Sequence, residues 1–301
     1  MRLSSRLTCP DRSGLPRLVL AFFGFALLSS TVVWAADSQP EAHRIVSVGG
    51  TVTEILYDLG ADDRIVAVDS TSFYPSEATK KPNVGYMRRL SAEGILAQTP
   101  DLILTEAGSG PPDALAVLAQ SGIRLINIAE PPAAETVGAR IRAIGAAIGK
   151  TSEADALAGK ADADLAKLKA DLAHLPPERK RVMFVLSIAN GRIMAAGKDT
   201  AADAMIRLAG ASNALADSTG YKPLSDEAVI AAAPDVILSM SRGDHSTTPD
   251  EMFALPSMQT TPAAASKALI SMDGLLLLGF GPRTPEAGRA LAEKLYPDAM
   301  H

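Results

Sequence analysis

Gly85-Tyr86-Met87-Arg88-Arg89-Leu90-Ser91-Ala92-Glu93-Gly94-Ile95-Leu96 runs into Ala97-Gln98-Thr99-Pro100-Asp101-Leu102-Ile103-Leu104. Much later, Gly220-Tyr221-Lys222-Pro223-Leu224-Ser225-Asp226-Glu227-Ala228-Val229-Ile230 runs into Ala231-Ala232-Ala233-Pro234-Asp235-Val236-Ile237-Leu238. One single-residue gap aligns the two stretches throughout, with Gly-Tyr, Leu-Ser-x-Glu and Pro-Asp-apolar in matching places. Each reads as a serine-capped helix, a Pro-Asp turn and an apolar strand. A unit of this kind in each half of a chain points to two similar lobes.

Between the flanking elements, short apolar runs alternate with helical patterns, as expected of parallel sheets built from βα units. Arg44–Val48, Ile65–Val68, Asp101–Thr105 and Arg124–Ile128 read as strands, with helices at Thr53–Leu59 and near Asp113–Gln120. From Glu135 to about His174 no proline occurs, and alanine and leucine recur at three- and four-residue spacing. That pattern predicts one long helix, or two in tandem, ended by Pro176-Pro177. Arg181–Ile188 then begins a second set of strands. The expected organisation is a leader at 1–35, a first α/β lobe at 36–134, a connecting helix at 135–175 and a second α/β lobe at 176–301. Two Rossmann-like lobes joined in this way enclose a cleft, and clefts between domains favour ligands.

The leader carries Arg2, Arg6, Arg12 and Arg17 against Asp11, then an apolar run from Leu18 to Trp34, then Val33-Trp34-Ala35-Ala36. This is the order of a cleaved secretory signal, so the chain is expected in the periplasm; an uncleaved membrane anchor is the alternative. The formal net charge of −5 and pI near 5.5 lack the basic footprint of a nucleic-acid binder. The single cysteine, Cys9, excludes a disulfide framework and a multi-cysteine zinc site. Four histidines leave little for a histidine-rich metal site. Beyond the leader only nine aromatic residues remain, so each tyrosine merits attention.

No catalytic constellation emerges. The Gly-x-Ser-x-Gly elbow is absent, and no paired acid–base set stands out. Ile144–Thr151 nearly spells a phosphate loop, but Ile144 stands where glycine is needed, so it reads as a break or bend within the helical run. Gly108–Asp113 carries two prolines and reads as a loop, and Gly279-Phe280-Gly281-Pro282-Arg283 reads as a turn at the cleft rim. An exported hydrolase remains only as a remote alternative.

The leader, the paired Ser-x-Glu and Pro-Asp segments and the bridging helix resemble the helix-linked substrate-binding proteins of ATP-driven importers. Within that class, Arg44–Gly50, Thr53-Glu54-Ile55, Asp69–Ser72 and Gly85–Arg88 are similar to the periplasmic haem-binding proteins of bacterial haem uptake. The resemblance implies ferric haem as transported ligand, not catalytic cofactor. Its partners would be an inner-membrane permease with its ATPase, with an outer-membrane haem receptor system upstream. Tyr86 matches the family's axial ligand, and Tyr74 in Phe73-Tyr74-Pro75 is its rival. Phenol oxygen is a hard ligand suited to trivalent iron, which favours the tyrosinate form. Arg88, Arg89, Tyr221, Arg242 and His245 are further candidate haem contacts. Tyr221 would stack on the porphyrin, donate a hydrogen bond or simply pack at the lobe rim. Arg242 resembles the family's arginine on the opposite lobe, and His245 is either a second axial ligand or a solvated loop residue. Glu93 and Glu227 match the acids that meet permease arginines, and each also suits the start of a helix. A ferric siderophore or a corrinoid on the same scaffold is the alternative cargo. The connecting helix implies small lobe movements on binding.

Overall fold

The computed structural model describes residues 41–241 and 247–300. The expected leader, and the candidate contacts Arg242 and His245, lie outside the described residues.

The first lobe runs through β1 (Ile45–Val48), α1 (Gly50–Asp58), β2 (Ile65–Val68), α2 (Ala92–Leu96), β3 (Leu102–Glu106), α3 (Pro112–Gln120) and β4 (Arg124–Ile128). Its sheet has the order β2-β1-β3-β4 and every pair in it is parallel. Two connecting helices follow, α4 (Val137–Ile148) and α5 (Thr151–Leu172).

The second lobe opens with β5 (Arg181–Ala189), β6 (Arg192–Ala196), α6 (Ala201–Leu208), β7 (Ser212–Asn213), β8 (Tyr221–Pro223), α7 (Asp226–Ala232) and β9 (Val236–Ser241). It closes with α8 (Pro249–Phe253), α9 (Pro256–Gln259), α10 (Pro262–Ala265), β10 (Leu269–Asp273), α11 (Gly274–Leu278) and α12 (Thr284–Leu295). Its main order is β10-β9-β5-β6-β8, with β7 beside the start of β5.

This second sheet departs from the expectation of parallel sheets. β10, β9, β5 and β7 pair in parallel, but β6 runs antiparallel to both β5 and β8. The cause is local: Ala189 pairs with Arg192 across Asn190-Gly191, whose φ angles are 52° and 75°. Two positive φ values in an Asn-Gly pair make the tight turn that matches the twist of an antiparallel hairpin.

The helical run is two helices, broken within Ile144–Thr151 as the sequence reading allowed. Gly149 takes a left-handed φ of 76° and closes α4, and α5 folds back antiparallel along it. A side chain at Gly145 would overlap Ala154, so a glycine is required where the two helices approach. The long helix that passes from lobe to lobe is therefore α5, with 22 residues, spanning about 33 Å. It begins beside the first lobe, and its later turns pack on α12 of the second.

The internal repeat extends to hydrogen bonds. Asp101 accepts from the backbone N–H of His43 and Arg44 at the entry to β1, and Asp235 accepts from that of Arg181 at the entry to β5. The arginine side chains return the contact: Arg44 donates to the carbonyls of Gln98 and Thr99, and Arg181 to that of Ala232. Thr99 and Ala233, each preceding Pro-Asp, both adopt positive φ.

Alternation along the central strands sorts the core. Ile45, Leu102, Leu104, Val182, Phe184, Val236 and Leu238 join one cluster that also takes Ile141 of α4, Leu168 of α5 and Leu291 of α12. The intervening Val46 and Ile103 face a smaller first-lobe cluster, while Met183 and Ile237 face a second-lobe one. The two lobes thus share their largest core through the connecting helices. Separating them would expose it.

Candidate functional site

Two loops at the carboxyl edge of the first sheet carry the candidate tyrosines. In the loop after β2, the buried Asp69 carboxylate accepts from the N–H groups of Gly49 and Thr71 and from the hydroxyls of Thr71 and Ser72. Ser72 in turn bonds Thr53, which bonds Ser47. This network ties the loop to the β1–α1 turn and leaves Phe73 and Tyr74 projecting, 47% and 41% exposed. Gly50 permits the close packing there, because a Cβ on it would collide with the Thr71 carbonyl and with Leu275 of α11.

The second loop is bound to the first by Ser70 N–H to the Gly85 carbonyl and Val84 N–H to the Val68 carbonyl, both 2.9 Å. Val84, Met87 and Leu90 are buried in the first-lobe cluster at every third position. Tyr86, Arg88 and Arg89 are turned outward as a consequence. The Arg89 N–H closes a turn on the Tyr86 carbonyl at 2.7 Å. Tyr86 is therefore an exposed phenol on a braced loop. Such a loop is ordered before any ligand arrives, so little ordering cost is left for binding.

From the second lobe, Tyr221 opens β8 and is also exposed, but its hydroxyl lies against the Thr200 side chain and the Ala202 N–H at the start of α6. Burial pushes this phenol up, against the opposing pull of those two groups and of Arg88. It is neutral at physiological pH and able to donate a hydrogen bond. The structure thus brings Tyr74, Tyr86, Arg88 and Arg89 onto two bonded loops of the first lobe and adds Phe73, while Tyr221 belongs to β8 of the second lobe.

Glu93 and Glu227 stand apart from these aromatics. Ser91 caps α2 through the Gly94 N–H, and Ser225 caps α7 through the Ala228 N–H, so both acids sit exposed in the first turn of a short helix. The Glu227 carboxyl is held below its ordinary value by its own backbone N–H and the Ser225 hydroxyl. Neither acid has an ion-pair partner among the described residues.

The seam between the lobes draws on Glu54 and the 279–283 turn, both noted in the sequence, and on Thr51, Glu106 and Arg140, which were not. Arg140 of α4, almost wholly buried, donates to the carbonyls of Gly279 at 2.8 Å and Glu130 at 2.7 Å and lies 3.5 Å from the Glu106 carboxylate. The Thr51 hydroxyl donates to the same Gly279 carbonyl at 2.9 Å. Nearby, Arg283 forms a two-pronged pair with Glu54 of α1, at 2.9 and 2.8 Å, and its guanidinium lies 3.5 Å above the Tyr74 ring. The expected turn at 279–283 thus bonds the second lobe to Thr51 and Glu54 of the first and to Arg140 of α4. A separate cavity of about 680 Å³ lies among the 133–135 segment, α5 and α6, floored by Leu165 and Leu208 and edged by Lys169, Arg179 and Arg207. It shares none of the exposed aromatics.

The sequence pattern of the family described as periplasmic binding protein matches residues 45–275. A substrate-binding lipoprotein of an uncharacterized ABC transporter in Bacillus subtilis, YvrC, is 29% identical over 264 residues, covering 87% of this chain and 82% of that protein. The solved periplasmic haem-binding protein BhuT, in complex with two haems, is 39% identical with a TM-score of 0.80, covering 86% of this chain and 99% of its own. Apo RhuT from Roseiflexus sp. RS-1, also a periplasmic haem-binding protein, is 39% identical with a TM-score of 0.81, covering 86% and 100%.

Proposed function

This chain belongs to the periplasmic binding protein family, and we propose that it binds ferric haem in the cleft between its lobes and delivers it to an inner-membrane ABC permease. The observation that carries the reading is Tyr86, an exposed phenol held outward by the buried Val84, Met87 and Leu90 on a loop bonded to that of Tyr74. Two solved haem-binding proteins at 39% identity over most of the chain favour haem as the cargo. Tyr86 supplies the oxygen ligand to the iron, Arg88 and Arg89 offer cations to the haem carboxylates, and Phe73 and Tyr74 supply flat apolar surface. The neutral Tyr221 hydroxyl is a donor from the opposite wall. No bond in the cargo is made or broken. The chain is exported by the leader at residues 1–35, and Glu93 and Glu227 meet basic residues of the permease, one from each lobe.

Haemin titration of the purified protein, followed by visible absorption, tests the reading. Saturable binding with a high-spin ferric tyrosinate spectrum is expected, lost or shifted in Tyr86→Ala and retained in Tyr74→Ala. If the unmodified protein develops no defined haem spectrum, the cargo is a different chelate such as a siderophore or a corrinoid.

A further inference from the structure

We propose that Arg283 is a positioning residue for the cargo, acting through Tyr74: it braces that ring as one wall of the cleft and links occupation of the cleft to the seam between the lobes. This inference rests on the reading of the cleft as the site of a flat macrocycle.

Arg283 precedes α12 in the second lobe, whereas both of its partners belong to the first. Its Nε and Nη2 donate to the two oxygens of Glu54, a carboxylate only 4% exposed, which holds the plane of the guanidinium by two parallel bonds. That plane lies 3.5 Å from the centre of the Tyr74 ring, the geometry of an arginine stacked on an aromatic face. With one face covered in this way, the 41% exposure of Tyr74 belongs to its other face and edge. The ring is therefore sandwich-ready: a cation from the far lobe on one side and open space on the other. Its loop is bonded to the Tyr86 loop, so the open face and the proposed iron ligand share one rigid edge.

A flat ligand stacking on the open face presses the ring against Arg283, and through it against Glu54. The two contacts must then be energetically coupled, since neither the ring nor the guanidinium can shift without disturbing the other. Lysine cannot replace arginine here, because an ammonium has neither the fork that matches Glu54 nor the plane that matches the ring. It does preserve the charge beside the buried carboxylate, which protects folding.

The experiment is a double-mutant cycle of Tyr74→Leu and Arg283→Lys, read by haemin and by metal-free protoporphyrin IX binding, with thermal melts to confirm folding. Tyr74→Leu is expected to weaken both ligands about three- to tenfold, the range of a lost aromatic stack. Arg283→Lys should cost about threefold, with the iron absorption spectrum unchanged and the induced circular dichroism of the porphyrin band altered. In the Tyr74→Leu background Arg283→Lys should cost nothing further. An equal loss from Arg283→Lys in both backgrounds, or no loss in either, overturns the proposal while leaving haem binding intact. Binding of protoporphyrin IX without haemin would sink the haem reading, and the cycle on protoporphyrin would judge this proposal by the same criteria. A protein that binds neither refutes both.

Discussion

Arg140 is the place where the joint between the lobes can be broken by one substitution. Its side chain is about 2% exposed and serves the carbonyls of Gly279, Phe280 and Glu130 as well as the Glu106 carboxylate. Arg140→Met keeps most of the volume but leaves Glu106 without its cation and the carbonyls without their donor. Removing one partner of a buried pair costs about 3–5 kcal/mol, mostly because the other charge is left uncompensated. For a chain of this size that corresponds to a fall of about 6–20 °C in Tm.

The pH dependence follows from Glu106. Burial pushes its carboxyl above the ordinary value, with Asp69 adding to the rise, while Arg140 and Thr51 hold it down. A carboxyl raised in the folded state contributes stability below the ordinary carboxylate range and loses it as pH rises through the folded value. Without Arg140 the carboxyl rises further, so the penalty of Arg140→Met should be largest near pH 8 and smaller near pH 5.5. Adding Glu106→Gln removes the orphaned charge and should recover about 2 kcal/mol at pH 8, the desolvation share of the loss. Urea unfolding of the single and double variants at the two pH values measures all of this. A loss below about 1 kcal/mol at pH 8, or no recovery with Glu106→Gln, would refute the view of Arg140 as the pin of the seam.

Asp58, in the last turn of α1, is pushed up to about 6 by burial and by Glu54, against Arg283 and Lys160. Its contribution is therefore present at low pH and lost as pH rises through about 6. Because the Asp58 carboxyl is only partly buried and its residue reaches solvent, Asp58→Asn should stabilise the protein by no more than about 1 kcal/mol at pH 8 and by nothing near pH 4.5, as thermal melts across that range would show. Small-angle scattering should register a change of at most a few ångströms on haemin addition, since the lobes share one core; a large compaction would contradict that account. Glu93→Arg with Glu227→Arg should abolish haem-dependent stimulation of the reconstituted permease ATPase and leave haemin affinity unchanged, whereas undiminished stimulation would exclude the two acids from docking.

The repeat was legible because its signals are dense and local. Serine caps, Pro-Asp turns and apolar strands each occupy a few neighbouring residues, and the structure reproduces them down to matching arginine and aspartate bonds at Arg44 and Arg181, Asp101 and Asp235. Tyr86 stood out only through its resemblance to the family's Gly-Tyr-Met-Arg segment; the burial of Val84, Met87 and Leu90 that turns it outward appears only in the structure. The hairpin at Asn190-Gly191 was written in the sequence too, but the surrounding βα pattern outweighed a two-residue turn. In the connecting run the break within Ile144–Thr151 was legible, but not that α5 folds back along α4, which the close approach at Gly145 and the left-handed Gly149 permit.

The seam was not legible, and the reason is separation. Glu54 and Arg283 are 229 residues apart, and Arg140 and Gly279 are 139 apart, so no window of sequence contains either pair. Nor does the repeat help, because these residues have no counterparts within it. The first lobe supplies Thr51 and Glu54 and the connecting helix α4 supplies Arg140, and the second lobe answers with a carbonyl and Arg283. The repeated parts can therefore form two similar walls without determining how those walls are held together. That task falls to unrepeated charges at one side of the cleft, where Tyr74 stands between the seam and the open space. Substitutions within the repeat should act on cargo and docking, and substitutions in the seam on rigidity and on the Tyr74 wall, with Arg283 positioned to affect both through Glu54 and Tyr74.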